Sequence, residues 1–171
     1  SVVAVSLKKK TVLGASADPN FGGRNFDRAL VEHFAEEFKG KYKIDVFSNP
    51  KSTFRLAAGC ERLKKVLSAN TFAQLNVESL MNDIDAASQL KREEFESMIA
   101  PYLDRIHVPL DRALEQSGLS KDEIFSVELV GGSSRVPAIK ERITQWFGRS
   151  LSFTLNQDEA IVRGCTLACA T

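Results

Sequence analysis

The spacing of the apolar residues changes repeatedly along this chain, and that succession limits the fold more than any single motif. Ser1–Ser6 ("SVVAVS") and Thr11–Ala17 ("TVLGASA") are β-rich runs joined by Lys8, Lys9 and Lys10, which predicts a hairpin. After Gly22 and Gly23 the period lengthens. Phe26, Leu30, His33 or Phe34, and Phe38 fall at helical spacing, and a second helix through Lys51–Ser68 follows Pro50. "AQLNVESL" and "DIDAASQL" return to alternation around Asn82 and Asp83, the pattern of a second hairpin. From Lys91 the helical period resumes, with Phe95, Met98, Tyr102 and Ile106 facing one way, Pro101 and Pro109 marking a kink or restart, and Gly118 closing the run.

The last third alternates. Ser120 and Glu123 have capping-box spacing, and "IFSVELV" is a short apolar strand leading to Gly131. The two serines at 133 and 134 and Pro137 then mark a helix start, with Val136, Ile139, Ile143, Trp146 and Phe147 forming its apolar face. "LSF" offers a final strand, and Asn156 to Glu159 form a cap before a helix running to Ala170. Strands, a helix-rich insert with its own hairpin, then alternating helix and strand predict an α/β fold: a mixed sheet with packed helices carrying an inserted α+β subdomain. A β-run at the very start suggests a piece of a longer protein, because a first strand usually has loose residues before it.

Composition narrows the function classes. With 23 basic and 22 acidic residues the net charge is +1, so nothing general in the electrostatics attracts nucleic acid or a membrane surface. The apolar runs fall far short of the roughly 20 residues that cross a bilayer, and no signal-peptide pattern opens the chain. The expected setting is the cytoplasm. Cys60, Cys165 and Cys169 lack paired spacing, which predicts buried reduced thiols and neither a disulfide framework nor a metal site. His33 lies on or beside an apolar stripe, far in sequence from His107, and no serine has an evident general base.

Two groups of residues remain as candidates for binding. Glu61, Lys64, Lys65 and Ser68 fall at i, i+3, i+4 and i+7 of one helix. Such a face could hydrogen-bond a ribose and the edge of a base, or could be an ordinary solvated face. In "LVGGSSRVP", two glycines free the backbone for a sharp turn or a close ligand, and a helix start first suggests phosphate. Arg135 adds a planar guanidinium that can stack on a flat ring, though a plain surface arginine has the same sequence. Asp158 and Glu159 could touch a ligand, and capping from Asn156 also accounts for them.

"FGGRNFD", "GCERLKKVLSANT", "LVGGSSRVP" and "LNQDEAIVRGC", in this order, make the whole chain resemble the second lobe of the nucleotide-binding domain of the 70-kDa heat-shock chaperones. "LSANT", "NVESLMNDID" and "TLNQDEAI" look more like the 110-kDa branch, whose members are nucleotide-exchange factors for the 70-kDa chaperones. The resemblance implies an actin-like ATPase lobe, with 1–21 and 100–171 as a sheet-and-helix subdomain and 22–99 as the insert. It implies ATP or ADP as ligand, with the adenosine half lined by Gly132, Ser133 and Arg135 from one subdomain and closed by Glu61, Lys64, Lys65 and Ser68 from the other, and with Asp158 nearby among the nucleotide-site residues. Phosphate and magnesium ligands would lie outside this chain, which by itself is expected to hydrolyse nothing. Lys65 stands where the 70-kDa branch usually has an arginine, so stacking would rest mainly on Arg135. The implied partners are a 70-kDa chaperone and the first lobe of the same domain. A lobe of a 70-kDa-type ATPase, and an interaction module with a vestigial pocket, stay open as alternatives.

Overall fold

The computed structural model describes residues 2–7, as backbone, and residues 11–170. They form two compact units: Ser1–Gly22 with Tyr102–Thr171, and Gly23–Pro101.

The second unit is built on two long helices and a hairpin. Helix α1, Gly23–Tyr42, buries Phe26, Leu30, Phe34 and Phe38, one residue per turn. The i+4 repeat of large side chains makes a single apolar stripe, and the Phe26 ring meets Phe95 edge-on at 6.5 Å. His33, one position off the stripe, is exposed with its edge toward Phe34. Helix α2, Pro50–Ala69, starts on Asn49, whose side chain accepts from Lys51 N, and Pro50 occupies the first turn, where a missing N–H costs no helical bond. Its buried row is Leu56, Gly59, Cys60, Leu63 and Leu67. Strands β3, Phe72–Met81, and β4, Ile84–Lys91, pair antiparallel through Asn82 and Asp83, both at positive φ. Ala73, Leu75 and Val77 are buried and the residues between them exposed, so one face of the hairpin is apolar. That face lies on α2 where Gly59 has no side chain; a Cβ there would sit 2.9 Å from Leu75 Cδ1.

Helix α3, Arg92–Leu103, follows directly. The buried stripe over this stretch is Phe95, Ile99, Leu103 and Ile106; Met98 and Tyr102, expected on it, are half-buried. Steps of four and three from Phe95 land on branched aliphatic residues, which pack the core better than the neighbouring thioether and phenol. Pro101 falls in the last turn of α3, and the chain restarts as α4, His107–Ser117.

In the first unit, strands β1, Val2–Leu7, and β2, Thr11–Ala17, pair antiparallel; the expected Lys8–Lys10 turn lies outside the described residues. Helix α4 packs on β2 at Gly14, where a Cβ would collide with Ala113 O and stand 2.8 Å from Ser117 N. Gln116 Oε1 accepts from Ala15 N at 3.1 Å, and Gly118 closes the helix in the left-handed region at φ 70°. Helix α5, Pro137–Phe147, buries Ala138, Ile139, Ile143 and Phe147. Trp146 Nε1 donates to Asp111 at 2.8 Å, joining α5 to α4.

The strands expected at "IFSVELV" and "LSF" are not regular ones. A single parallel bridge joins Glu128 to Ser152, supported by Ser152 N donating to Val127 O at 2.9 Å. A ladder needs a covered face, and Phe125 stands 88% exposed beside it. The fold is nevertheless mixed α/β, with antiparallel hairpins, one parallel bridge and α-helices packed on them.

Helix α6, Ala160–Cys169, has no buried residue. Cys165 and Cys169 are therefore exposed, against the expectation of three buried thiols, and Cys60 alone is buried. The helix is rich in apolar residues, yet Ile161 and Val162 stand open to solvent.

Candidate functional site

The loop after Leu129 separates the roles of its two glycines. Gly131 has φ 90° and ψ 147°, a conformation that a side chain strongly disfavours. Gly132 lies elsewhere on the map, and a Cβ built on it would meet nothing within 4 Å, so its bare backbone opens on free space. Residues Gly132–Arg135 then form a 3-10 turn, and α5 begins only at Pro137. The serines do not cap α5, contrary to what their position suggests. Ser134 is buried and its Oγ turns back to Gly131 O at 2.6 Å, while Ser133 is half-buried. The phosphate suggestion loses its basis here, because the helix start is separated from the glycines by this turn.

Arg135 is 54% exposed and is held along one edge. Its Nη2 donates to Asp158 Oδ2 and its Nε to Gln157 Oε1, the latter at 3.2 Å. Guanidinium N–H groups lie in the plane of the group, so partners on one edge leave both flat faces uncommitted. Asp158 and Gln157 come from the segment that starts α6. Asn156 Oδ1 accepts from Asp158 N at 2.9 Å and Glu159 N at 3.0 Å, which closes the turn ahead of α6; the helix itself starts from Glu159 without a side-chain cap, so the expected cap is shifted into the preceding turn. Gly131 N donates to Gln157 O at 2.6 Å, tying the two loops by backbone as well.

In the other unit, the four candidates on α2 divide. Glu61 and Lys65 are exposed and pair at 2.8 Å; the hydrogen bond and charge of Lys65 hold the Glu61 carboxyl below the usual range. Lys64 is different. Its side chain is only 12% exposed, and Nζ reaches Asp27 Oδ1 at 2.6 Å, Oδ2 at 2.8 Å and Gly23 O at 3.4 Å. It anchors the first turn of α1 to α2. Ser68 Oγ donates to Lys64 O at 3.0 Å, which leaves its lone pairs to accept. Sequence reasoning misses Asp27 and Gln157 as partners, although both lie inside motifs that it singles out; ion pairing across 37 residues leaves no local pattern.

Cys60 lies behind this face, and burial, with the Asp27 charge second, pushes its thiol up to about 12. Such a thiol is not a nucleophile at neutral pH. His33 Nε2 is 4.0 Å from Glu37 Oε2 on the outer face of α1. A separate concavity between α2 and β3, lined by Phe54, Arg55, Ala58, Arg62, Asn76, Val77 and Glu78, contains none of the candidates. Among the described residues no group of three or more His, Cys, Asp or Glu could hold a metal ion, and no helix is long and apolar enough to cross a membrane.

Comparison with known proteins gives this arrangement its context. All of residues 1–171 match the family described as Hsp70 protein, and the chain belongs to that family. It is 55% identical over 99% of its length to heat shock protein hsp88 of Neurospora crassa, and 51% identical over 99% to a heat shock protein homolog of Saccharomyces cerevisiae. It is 48% identical, again over 99% of its length, to the human heat shock 70 kDa protein 4L. The chain spans 24% of the length of each of the two fungal relatives and 20% of the human one.

Proposed function

We propose that this chain is the adenosine-contacting lobe of a 110-kDa-type heat-shock co-chaperone, which binds ATP and exchanges nucleotide on 70-kDa chaperones in the cytoplasm. The observation that carries the nucleotide reading is Arg135, a guanidinium fastened along one edge, with both faces uncommitted by its partners, three residues from the open backbone of Gly132. A flat base has a stacking surface there and main chain that it can approach closely. Ser133 adds a hydroxyl. On α2 of the other unit, Glu61, Lys65 and Ser68 carry an acceptor, a charge and a hydroxyl of the kinds a ribose can bind, while Lys64 is held by its ion pair with Asp27. A bound ATP would bring its own phosphates and magnesium, for which this reading assigns no residue of the chain.

Membership of the Hsp70 family supports a chaperone setting, and the similarity to hsp88 and to the yeast homolog favours the co-chaperone branch. The exposed α6 supports packing against a further lobe, since Ile161 and Val162 are 65% and 68% exposed. Exchange would work by population shift, the full-length protein binding an opened 70-kDa chaperone more tightly than a closed one. The test is the release rate of labelled ADP from a 70-kDa chaperone with and without the full-length protein and ATP. Acceleration that saturates supports the reading; an unchanged rate at saturating concentration removes exchange from it.

A further inference from the structure

We infer that Asp158, together with Gln157, is a positioning residue that acts on the nucleotide through Arg135 and makes no contact with it. The inference rests on the adenosine reading of Arg135 and gives a role to Asp158, which family resemblance places only near the pocket.

The loop carrying these side chains is fastened at each step. Asn156 O accepts from Ala160 N at 2.9 Å, Asn156 Oδ1 takes the amides of Asp158 and Glu159, and Gln157 O takes the amide of Gly131. With that backbone fixed, the two side chains project onto neighbouring donors of one guanidinium, Gln157 on Nε and Asp158 on Nη2. The Asp158 carboxylate is committed to a cation and offers acceptors only. Near a polyanionic ligand it would repel, unless its charge stays neutralised by Arg135.

This arrangement contributes little to folding, because both partners are more than half exposed. Its effect falls on the ligand. A free arginine must give up several rotatable bonds to lie flat against a base, and that ordering weakens binding; an arginine already held at two nitrogens has lost them beforehand. The fork is also specific to arginine, since an ammonium has no second donor in a fixed plane.

The experiment is a calorimetric titration of the full-length protein with ATP and, separately, with magnesium tripolyphosphate, which has no base to stack. The variants are Arg135→Ala, Asp158→Ala, Gln157→Ala and the double variant Arg135→Ala with Asp158→Ala. Removing Asp158 is expected to weaken ATP binding about threefold to tenfold, the size of one pre-ordered side chain, and to leave tripolyphosphate unchanged. In the Arg135→Ala background the same removal is expected to do nothing further. An equal loss in both backgrounds would overturn the inference, because Asp158 would then touch the nucleotide itself; so would an Asp158→Ala protein with undiminished ATP affinity. Should that variant fold poorly, Asp158→Asn, which keeps a weaker acceptor at Nη2, takes its place: any loss of ATP affinity that it causes is expected to vanish in the Arg135→Ala background, and a loss that persists there counts against positioning. Failure of the underlying reading looks different: Arg135→Ala itself would leave ATP affinity unchanged, and the positioning role would fall with it.

Discussion

Single residues of one type behave oppositely here according to what surrounds them. Cys60 is buried with a thiol pushed up to about 12, while Cys165 and Cys169 lie open on α6. In the isolated chain at pH 8, a thiol reagent is expected to label two cysteines quickly and the third only after denaturant is added. Three equal rates would contradict the burial of Cys60. The raised value also has a sign for stability: the unfolded thiol ionises near its ordinary 9, the folded one near 12, so the folded state holds the extra proton between them. The contribution of Cys60 to stability is therefore fully present below about pH 9 and is lost as pH rises from there toward 12. The glycine pair divides in the same way. Gly131→Ala is expected to cost about 1 to 3 kcal/mol for its backbone conformation, whereas Gly132→Ala is expected to change stability by no more than about 0.5 kcal/mol. Urea midpoints decide this, and equal costs would mean that the two positions are not distinguished by φ.

At the scale of elements, the sequence is most legible where periodicity and chemistry agree. Phe26, Leu30, Phe34 and Phe38 announce α1, Pro50 announces α2, and Asn82 with Asp83 announces the hairpin, because each signal is local and has few alternatives. The stripe through α3 is displaced by one residue from the expected Met98 and Tyr102, since a spacing of three and a spacing of four both satisfy a helix. The short strands expected at 124–130 and 151–153 fail for a different reason: an apolar run states a propensity, and a ladder needs a partner and a covered face. Close packing of elements is invisible in sequence. Gly14 gives no sign that α4 passes against it, yet a Cβ there would collide with a backbone oxygen, that of Ala113, which cannot swing aside. Gly14→Ala is accordingly expected to lower stability by about 1 to 3 kcal/mol, read as a lowered midpoint with unchanged slope. A neutral outcome would show that α4 does not approach β2 so closely.

At the scale of the molecule, this chain contains a core in each of its two units and one helix that shares in neither. Because α6 buries no residue, its amides are expected to exchange within the fastest class in the isolated chain and to be protected in the full-length protein. Equal exchange in both would mean that no further lobe covers it. The binding residues are legible in sequence only as types at suggestive spacings. Nothing in the spacing of Glu61, Lys64, Lys65 and Ser68 shows that Lys64 turns to Asp27, and nothing in "LVGGSSRVP" shows that Gln157 and Asp158 hold Arg135. The central claim is that Arg135 is the main stacking surface for adenine. Its most direct test is calorimetric titration of the full-length protein with ATP, comparing Arg135→Ala with Lys65→Ala. A desolvated stacking contact is worth about 2 kcal/mol and an exposed, hydrated ammonium well under about 1. The account predicts a loss of about tenfold or more for Arg135→Ala and a much smaller one for Lys65→Ala; equal losses, or undiminished affinity in folded Arg135→Ala protein, would contradict it.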